Sequence, residues 1–312
     1  MRKIVGIGET VFDIIFRNDQ PTAGVPGGST FNAMISLGRT LGVRYPQLPL
    51  LMITETGQDH IGDIVINFME KNHVSTRGVS RNEAQSHISL AFLNEQNDAQ
   101  YAFYKDHKSV RLNAEQIDTI GGFCTDDIVL FGSFFAINPV IRDYTRKMLT
   151  SAHEAGAILY YDINFRKSHI KDIPDTLCNI EENCRLSDVV RGSAEDFGYL
   201  YGTTDPQEVY SRFIKPLCPY FICTDGGRPA WVFTPEFTLQ IPVAPIKTIS
   251  TIGAGDNFNA GFLCGLLECN ITKTELPALP QESWQKIVNI GQRFSANVCQ
   301  SIYNYVDEGF SF

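Results

Sequence analysis

Short apolar runs alternate with longer stretches of helical spacing through most of the chain. The runs at residues 3–8, 48–54, 127–131, 157–162, 187–191 and 220–224 read as buried strands, and further strands follow at 230–233, 237–241 and 244–248. Helical spacing runs from a Ser29 cap to about 41, over about 61–71, over 138–155 behind Pro139, and over about 255–269. Another helix opens at Ser193-Ala194-Glu195-Asp196. The last runs from about 282 to 303, with Trp284, Ile287, Ile290, Phe294, Val298 and Ile302 on one side. Such alternation predicts an α/β fold of three layers, a mostly parallel central sheet with helices on both faces. Residues 11–16 and the hairpin 88–93/100–104 break the alternation and are expected to form a small separate β lid over the sheet's ligand edge. Residues 24–28 read as a turn. With no Pro-, Gly- or Ser-rich linker and no repeat, residues 1–312 are expected to form a single α/β domain, its lid strands drawn from about 11–26 and 87–106.

Composition narrows the function. The 312 residues are 43% hydrophobic and 20% charged, ordinary for a globular chain. A net charge of −9 argues against nucleic acid as a partner, though not against an anionic nucleotide held in one local pocket. The start, Met-Arg-Lys-Ile-Val-Gly-Ile-Gly, lacks the apolar core of a signal peptide, and no stretch reaches the ~18 apolar residues of a membrane span. Eight cysteines without a Cys-x-x-Cys pair are expected to be reduced core residues of a cytoplasmic protein. Six scattered histidines with no His-Glu-x-x-His spacing argue against a caged transition metal.

The chemistry gathers at three places where a strand gives way to a helix or loop. Gly253-Ala254-Gly255-Asp256 is a small-residue turn feeding a buried helix, with one carboxylate at its entrance. Backbone N–H groups of such a turn can hold an anion, and the carboxylate can take a proton from an alcohol. A plain N-cap aspartate explains the same four residues about as well. Gly27-Gly28 precede Asn32, which is either a solvated helix residue or a ligand contact over a clear helix start. Asp162-Ile-Asn164-Phe-Arg166 closes a strand, where open α/β sheets place ligands; a surface turn is the alternative. Asp13 interrupts an apolar run and is either an edge residue or a ligand contact. Ser193 to Asp196 fits a helix cap. Gly6-x-Gly8 fails as a dinucleotide fingerprint, because Val11 stands where its third glycine would fall.

In this order and spacing the groups resemble the ribokinase-like, or PfkB, family of carbohydrate kinases over essentially the whole chain. The carrying residues are Gly8-Glu9 with Asp13, Gly27-Gly28-Ser29-Thr30-Phe31-Asn32-Ala33, Asp162-x-Asn164-x-Arg166, Thr224-Asp225-Gly226 and Gly253-Ala254-Gly255-Asp256-Asn257-Phe258. Leu90-Ala-Phe-Leu93 through Phe103-Tyr104 looks most like fructokinases. The resemblance implies a three-layer ribokinase-like fold and phosphorylation of a primary hydroxyl of a small sugar, above all fructose, by ATP with Mg²⁺. Alternatives are a kinase for ribose, a nucleoside or a keto-sugar acid, or a non-catalytic sugar or nucleotide sensor. It implies Asp256 as base, with Gly253, Ala254 and Gly255 offering the anion-binding N–H groups. Asp13, Gly27, Gly28, Asn32, Asn164 and Arg166 would bind the substrate. Ser193, Thr224, Gly226 and Asn297 would line the nucleotide site, and Asp196 would orient water around magnesium. Three departures stand out: Ser250 replaces an aspartate linked to a monovalent cation, which puts K⁺ activation in doubt; Ser193-x-x-Asp196 replaces Asn-x-x-Glu; Pro229 replaces a glycine. Lys105 is a candidate for a polar or anionic substrate end, and pairing of lid edges would give a homodimer.

Overall fold

The computed structural model describes residues 2–93, 99–104, 112 and 115–312. Lys105 and the 94–98 hairpin loop lie outside the described residues. In chain order the strands are β1 (Ile4–Ile7), β2 (Val11–Arg17), β3 (Gln20–Gly27), β4 (Leu50–Gly57), β5 (Val79–Asn82), β6 (Ile88–Leu93), β7 (Ala99–Tyr104), β8 (Ile128–Gly132), β9 (Ile158–Asp162), β10 (Val189–Ser193), β11 (Phe221–Asp225), β12 (Arg228–Phe233) and β13 (Thr238–Ile241). The helices are α1 (Ser29–Leu37), α2 (His60–Lys71), α3 (Gln116–Thr119), α4 (Ser133–Ile137), α5 (Arg142–Glu154), α6 (Ile173–Leu186), α7 (Ala194–Tyr201), α8 (Pro206–Val209), α9 (Ala254–Glu268) and α10 (Gln281–Cys299).

Among the described residues nine strands form one sheet in the order β13-β12-β11-β10-β9-β8-β1-β4-β5. It is parallel from β5 to β11 and antiparallel at β12 and β13. Strands covered on both faces need apolar residues at every position, and β1, β4, β8 and β9 are buried throughout. Successive residues feed opposite cores. Ile4, Met52, Leu130 and Tyr160 join α1, α9 and α10, while Val5, Ile53, Phe131 and Tyr161 join α5, α6 and α7. Helix α9 is buried over most of its length. It approaches α10 closely because a Cβ at Gly261 would fall 2.7 Å from the Gly291 Cα.

The second sheet, β3-β2-β6-β7, is the expected lid. Residues 24–27, read as a turn, instead complete β3, which pairs with β2 as far as Val11↔Gly27. Other expectations need correcting. The helix expected over 138–155 starts only at Arg142, as α5, and an unanticipated short helix, α4, precedes it; Pro139, which lacks an N–H and disfavours helix at Asn138, lies between the two. Residues 244–248 form no strand and are exposed. Helix α10 stops at Cys299, leaving Ile302 52% exposed rather than on the buried face. Ser29 does not cap α1; Gly28 does, at φ 121°, and the Ser29 hydroxyl meets that of Ser133. Strand β5 and helices α6 and α8 were not anticipated. The segment after α10 returns to the lid. The Tyr305 hydroxyl donates to the Pro26 carbonyl at 2.7 Å, and Arg39 donates to the Val306 carbonyl. No helix among the described residues is long and apolar enough to cross a membrane.

Candidate active site

The C-terminal ends of the central strands, the starts of α1 and α9, and the underside of the lid enclose one polar region. Gly253 caps α9 in the left-handed region, φ 75°, and a Cβ there would fall 2.9 Å from the Asn304 carbonyl oxygen. Only glycine takes that conformation without strain. Asn257, fully buried, fixes the helix start: it donates to the Gly253 and Asn304 carbonyls at 2.8 Å and accepts from Ser36. First-turn N–H groups have no partner within the helix. That of Ala254 reaches the Thr251 carbonyl at 3.2 Å, which leaves those of Gly255 and Asp256 for an anion favoured by the helix dipole.

Asp256 sits in that first turn, 7% exposed. The Asn32 amide donates to its Oδ2 at 2.8 Å. This joins the start of α1 to the start of α9, which sequence separates by more than two hundred residues. Asn32 Oδ1 is buried with no hydrogen-bond partner, so an acceptor is left over beside the carboxylate. A buried orphan acceptor is costly, and a ligand hydroxyl would satisfy it. Burial pushes the Asp256 carboxyl up to about 6; Asp162 adds to the push, while the Asn32 bond, Arg166 and Arg191 oppose it. The cap explanation for Asp256 fails, since Gly253 occupies the cap and no side chain caps that end.

On the lid side, Asp13 is buried and accepts from the Ser89 hydroxyl and, at 3.5 Å, from the Asn304 amide. It is not an edge residue, since β2 lies between β3 and β6. A Cβ on Gly27 would fall 2.2 Å from Asp13 Oδ2, and one on Gly28 would fall 2.4 Å from the Glu9 carbonyl oxygen. The glycines thus make room for the carboxylate and for the strand crossing. Asn164, at φ 38°, donates to the Ser133 hydroxyl at 2.7 Å, and Arg166 is exposed at the rim.

Beneath the turn lies a buried chain of polar groups. The Tyr160 hydroxyl donates to Asn259 at 3.0 Å, and Asn259 donates to Asp162 Oδ2 at 2.7 Å. Arg191 donates to Asp162 Oδ1 at 2.9 Å and to the Thr224 hydroxyl at 2.5 Å. Both oxygens of Asp162 are therefore engaged within the protein. Gly226, at φ 53°, turns β11 into β12 with open space around it. Ser193 and Asp196 form a reciprocal capping box on α7: Asp196 accepts from the Ser193 N–H at 2.6 Å, and Ser193 Oγ from the Asp196 N–H at 3.2 Å. Burial, then Asp162, raises the Asp196 carboxyl to about 6. Asn297 stands apart, exchanging two hydrogen bonds with Asp307 at 3.1 and 3.0 Å.

The structure therefore joins Asp256, Asn32 and the Gly253 turn directly, with Asp13 reaching them through Asn304. Sequence reading missed Asn257, Asn304, Ser133 and above all Arg191. Arg191 carried the signal that picked out Asp13, a charge within a predicted strand.

Relatives agree with this architecture. A fructokinase of Rhizobium leguminosarum bv. trifolii is 26% identical over 286 residues, covering 90% of this chain and 85% of its own. A 5-dehydro-2-deoxygluconokinase of Clostridium perfringens is 23% identical over 251 residues, covering 78% and 72%. The crystal structure of a fructokinase from Vibrio cholerae O395, in its fructose-, ADP- and calcium-bound form, shares the fold, with TM-score 0.82 at 20% identity over 97% of this chain and 94% of that one. The family description "pfkB family carbohydrate kinase" matches residues 1–306, and the chain belongs to that family of carbohydrate kinases.

Proposed function

We propose that this carbohydrate kinase transfers the γ-phosphoryl group of ATP to a primary hydroxyl of a small sugar, with fructose the leading substrate. The observation that carries the reading is the buried pair Asp256–Asn32, with an unpaired acceptor on Asn32 beside a carboxylate in the first turn of α9. The sugar hydroxyl lies against Asp256, which accepts its proton as the new O–P bond forms and the bond to ADP breaks. With its carboxyl at about 6, Asp256 is mostly ionised at neutral pH yet basic enough to hold that proton. The N–H groups of Gly253, Ala254 and Gly255 face the charge on the transferring group, those of Gly255 and Asp256 being the least committed within the fold. Asp13, Gly27, Gly28, Asn32, Asn164 and Arg166 frame the sugar, while Ser193, Thr224 and Gly226 border the nucleotide. Asn297 would have to leave Asp307 to join them.

Among the described residues no three His, Cys, Asp or Glu side chains are grouped to hold a metal. The buried carboxylate of Asp196 suits a contact through water with a cation carried by the nucleotide. Magnesium would neutralise phosphate charge during transfer. The Ser250 hydroxyl accepts the Ile252 N–H at 3.2 Å and brings no carboxylate for a monovalent cation, the departure that puts potassium activation in doubt.

The relatives named for fructose support that sugar, and the keto-acid kinase relative keeps a second acceptor in the test. A panel of fructose, ribose, a nucleoside and a keto-sugar acid in an ADP-release assay, with Mg²⁺ and with or without K⁺, decides among them. Fructose should give the highest kcat/KM. Sugar binding without ADP release on any member would sink the kinase reading in favour of a sensor.

A further inference from the structure

We propose that Arg191 is a positioning residue that fixes the distance between the nucleotide side of the site and the catalytic turn; this rests on the phosphoryl-transfer reading above. Arg191 is 5% exposed and lies on β10, in register with Asp162 of β9 on one side and Ile222 of β11 on the other. Its two terminal nitrogens part company: Nη1 holds Asp162 and Nη2 holds Thr224. The same guanidinium fills the space beside Gly255, where a Cβ would fall 2.9 Å from Nη1, and lies 5.7 Å over the Phe258 ring. Through Asp162 it also reaches Asn259, one helical turn beyond Asp256. One planar cation thus touches β9, β11 and two positions of α9.

A buried ion pair is a poor device for stability, because desolvation offsets most of the attraction. It is a good device for geometry, because the fork has two fixed directions. On the phosphoryl-transfer reading Thr224 borders the nucleotide and the α9 turn faces the transferring group, and a displacement of ~1 Å between them would be enough to damage transfer. The charge also faces the two elevated carboxyls, Asp256 and Asp196, and favours the ionised form of each. Gly255 gains a second reason to be glycine: any side chain would push the guanidinium aside.

The test is steady-state kinetics of Arg191→Lys, Arg191→Gln and Thr224→Val over pH 5–9. Lysine keeps the charge and loses the fork. Its KM for ATP should rise about tenfold while KM for the sugar stays within about twofold. Glutamine should in addition move the acid limb of kcat upward by about one pH unit, since a neighbouring cation is lost. Thr224→Val leaves the ion pair intact and should raise KM for ATP alone. Gly255→Ala should harm the wild type more than the Arg191→Lys background, where the slimmer side chain leaves room. Should Arg191→Gln fail to fold with Asp162 unpaired, Asp162→Asn/Arg191→Gln restores neutrality, and its acid limb is compared with that of Asp162→Asn, where the difference isolates the lost cation. Unchanged KM for ATP in Arg191→Lys and Thr224→Val, with the acid limb unmoved in the glutamine variant, overturns the proposal. A merely structural role would lower the melting temperature and leave those readouts alone. Wild-type turnover and its loss in Asp256→Asn test the underlying reading separately; absence of ADP release by the wild type on every sugar overturns both.

Discussion

Replacing Asp256 with Asn separates the role proposed for this carboxylate from what its charge costs the fold. Burial is the main cause of its elevation from an ordinary 3.8 to about 6. A raised folded-state pKa means that the native protein binds this proton more tightly than the unfolded chain does. The associated stability is fully present below the unfolded value and is lost as pH rises through about 6. At about 1.4 kcal/mol per pH unit, the ionised carboxylate costs the fold about 3 kcal/mol at pH 8, roughly half of that at pH 5, and little by pH 4. Asparagine has no charge to bury and can still accept from Asn32. The variant is therefore expected to be inactive and more stable than the wild type by those amounts, which is ~4 °C in melting temperature at pH 8 for a chain of this size. Urea denaturation of both proteins at pH 4, 5 and 8 measures the difference, in which the titration of every other group cancels. A gain equal at all three pH values, or no gain at pH 8, would refute the elevated carboxyl. The kinetic counterpart is a wild-type kcat that falls about tenfold from pH 7 to pH 5 along a limb near pH 6.

Further outcomes follow from the geometry. Gly253→Ala forces a Cβ to 2.9 Å from the Asn304 carbonyl at φ 75° and should cost about 1–3 kcal/mol in urea unfolding, with kcat falling as the turn shifts. Ser193→Ala removes half of the α7 capping box and should cost about 1 kcal/mol without altering the magnesium requirement, whereas Asp196→Asn should raise the Mg²⁺ concentration for half-maximal rate. Tyr305→Phe strands the Pro26 carbonyl and should lower stability by about 1–2 kcal/mol, visible in thermal melts. The lid ends in β7, where Tyr104 is 64% exposed, so sedimentation should detect a dimer that Tyr104→Lys dissociates.

The parts of the fold that sequence made legible are those governed by local chemistry. Apolar runs marked β1, β4, β8, β9 and β11 to within a few residues, because a strand covered on both faces admits little else. Pro139 was read as opening a helix when it separates two, since a proline serves a helix start and a break alike. Residues 244–248 have strand-like composition and no neighbour to pair with, and pairing is a property of the whole sheet. Unanticipated β5 completes the edge beside β4, where a polar sequence, Val-Ser-Arg-Asn, is tolerated on the last strand.

The site divides along the same line. Gly253 and Asp256 lie three residues apart, and the turn and helix start that place them are local features, so their placement was visible. Asn32 acquires its meaning only from a carboxylate far along the chain, and Asn304 only from the return of the chain past the lid. Arg191 is the sharpest case. A charge at the end of a predicted strand has two readings, and Asp162, the residue that decides between them, lies on the adjacent strand in register. The glycine turn hid the same fact. Gly255 reads in sequence as part of a turn whose N–H groups can hold an anion, yet the space beside its Cα belongs to the Arg191 guanidinium. The two uses are compatible, because the guanidinium takes the side-chain position while the Gly255 N–H stays uncommitted within the fold. On the reading proposed above, the turn is held at Gly255 by a cation while its uncommitted N–H groups face an anion, and Arg191 would steady the turn and add its push, smaller than those of the Asn32 bond and Arg166, toward an ionised Asp256.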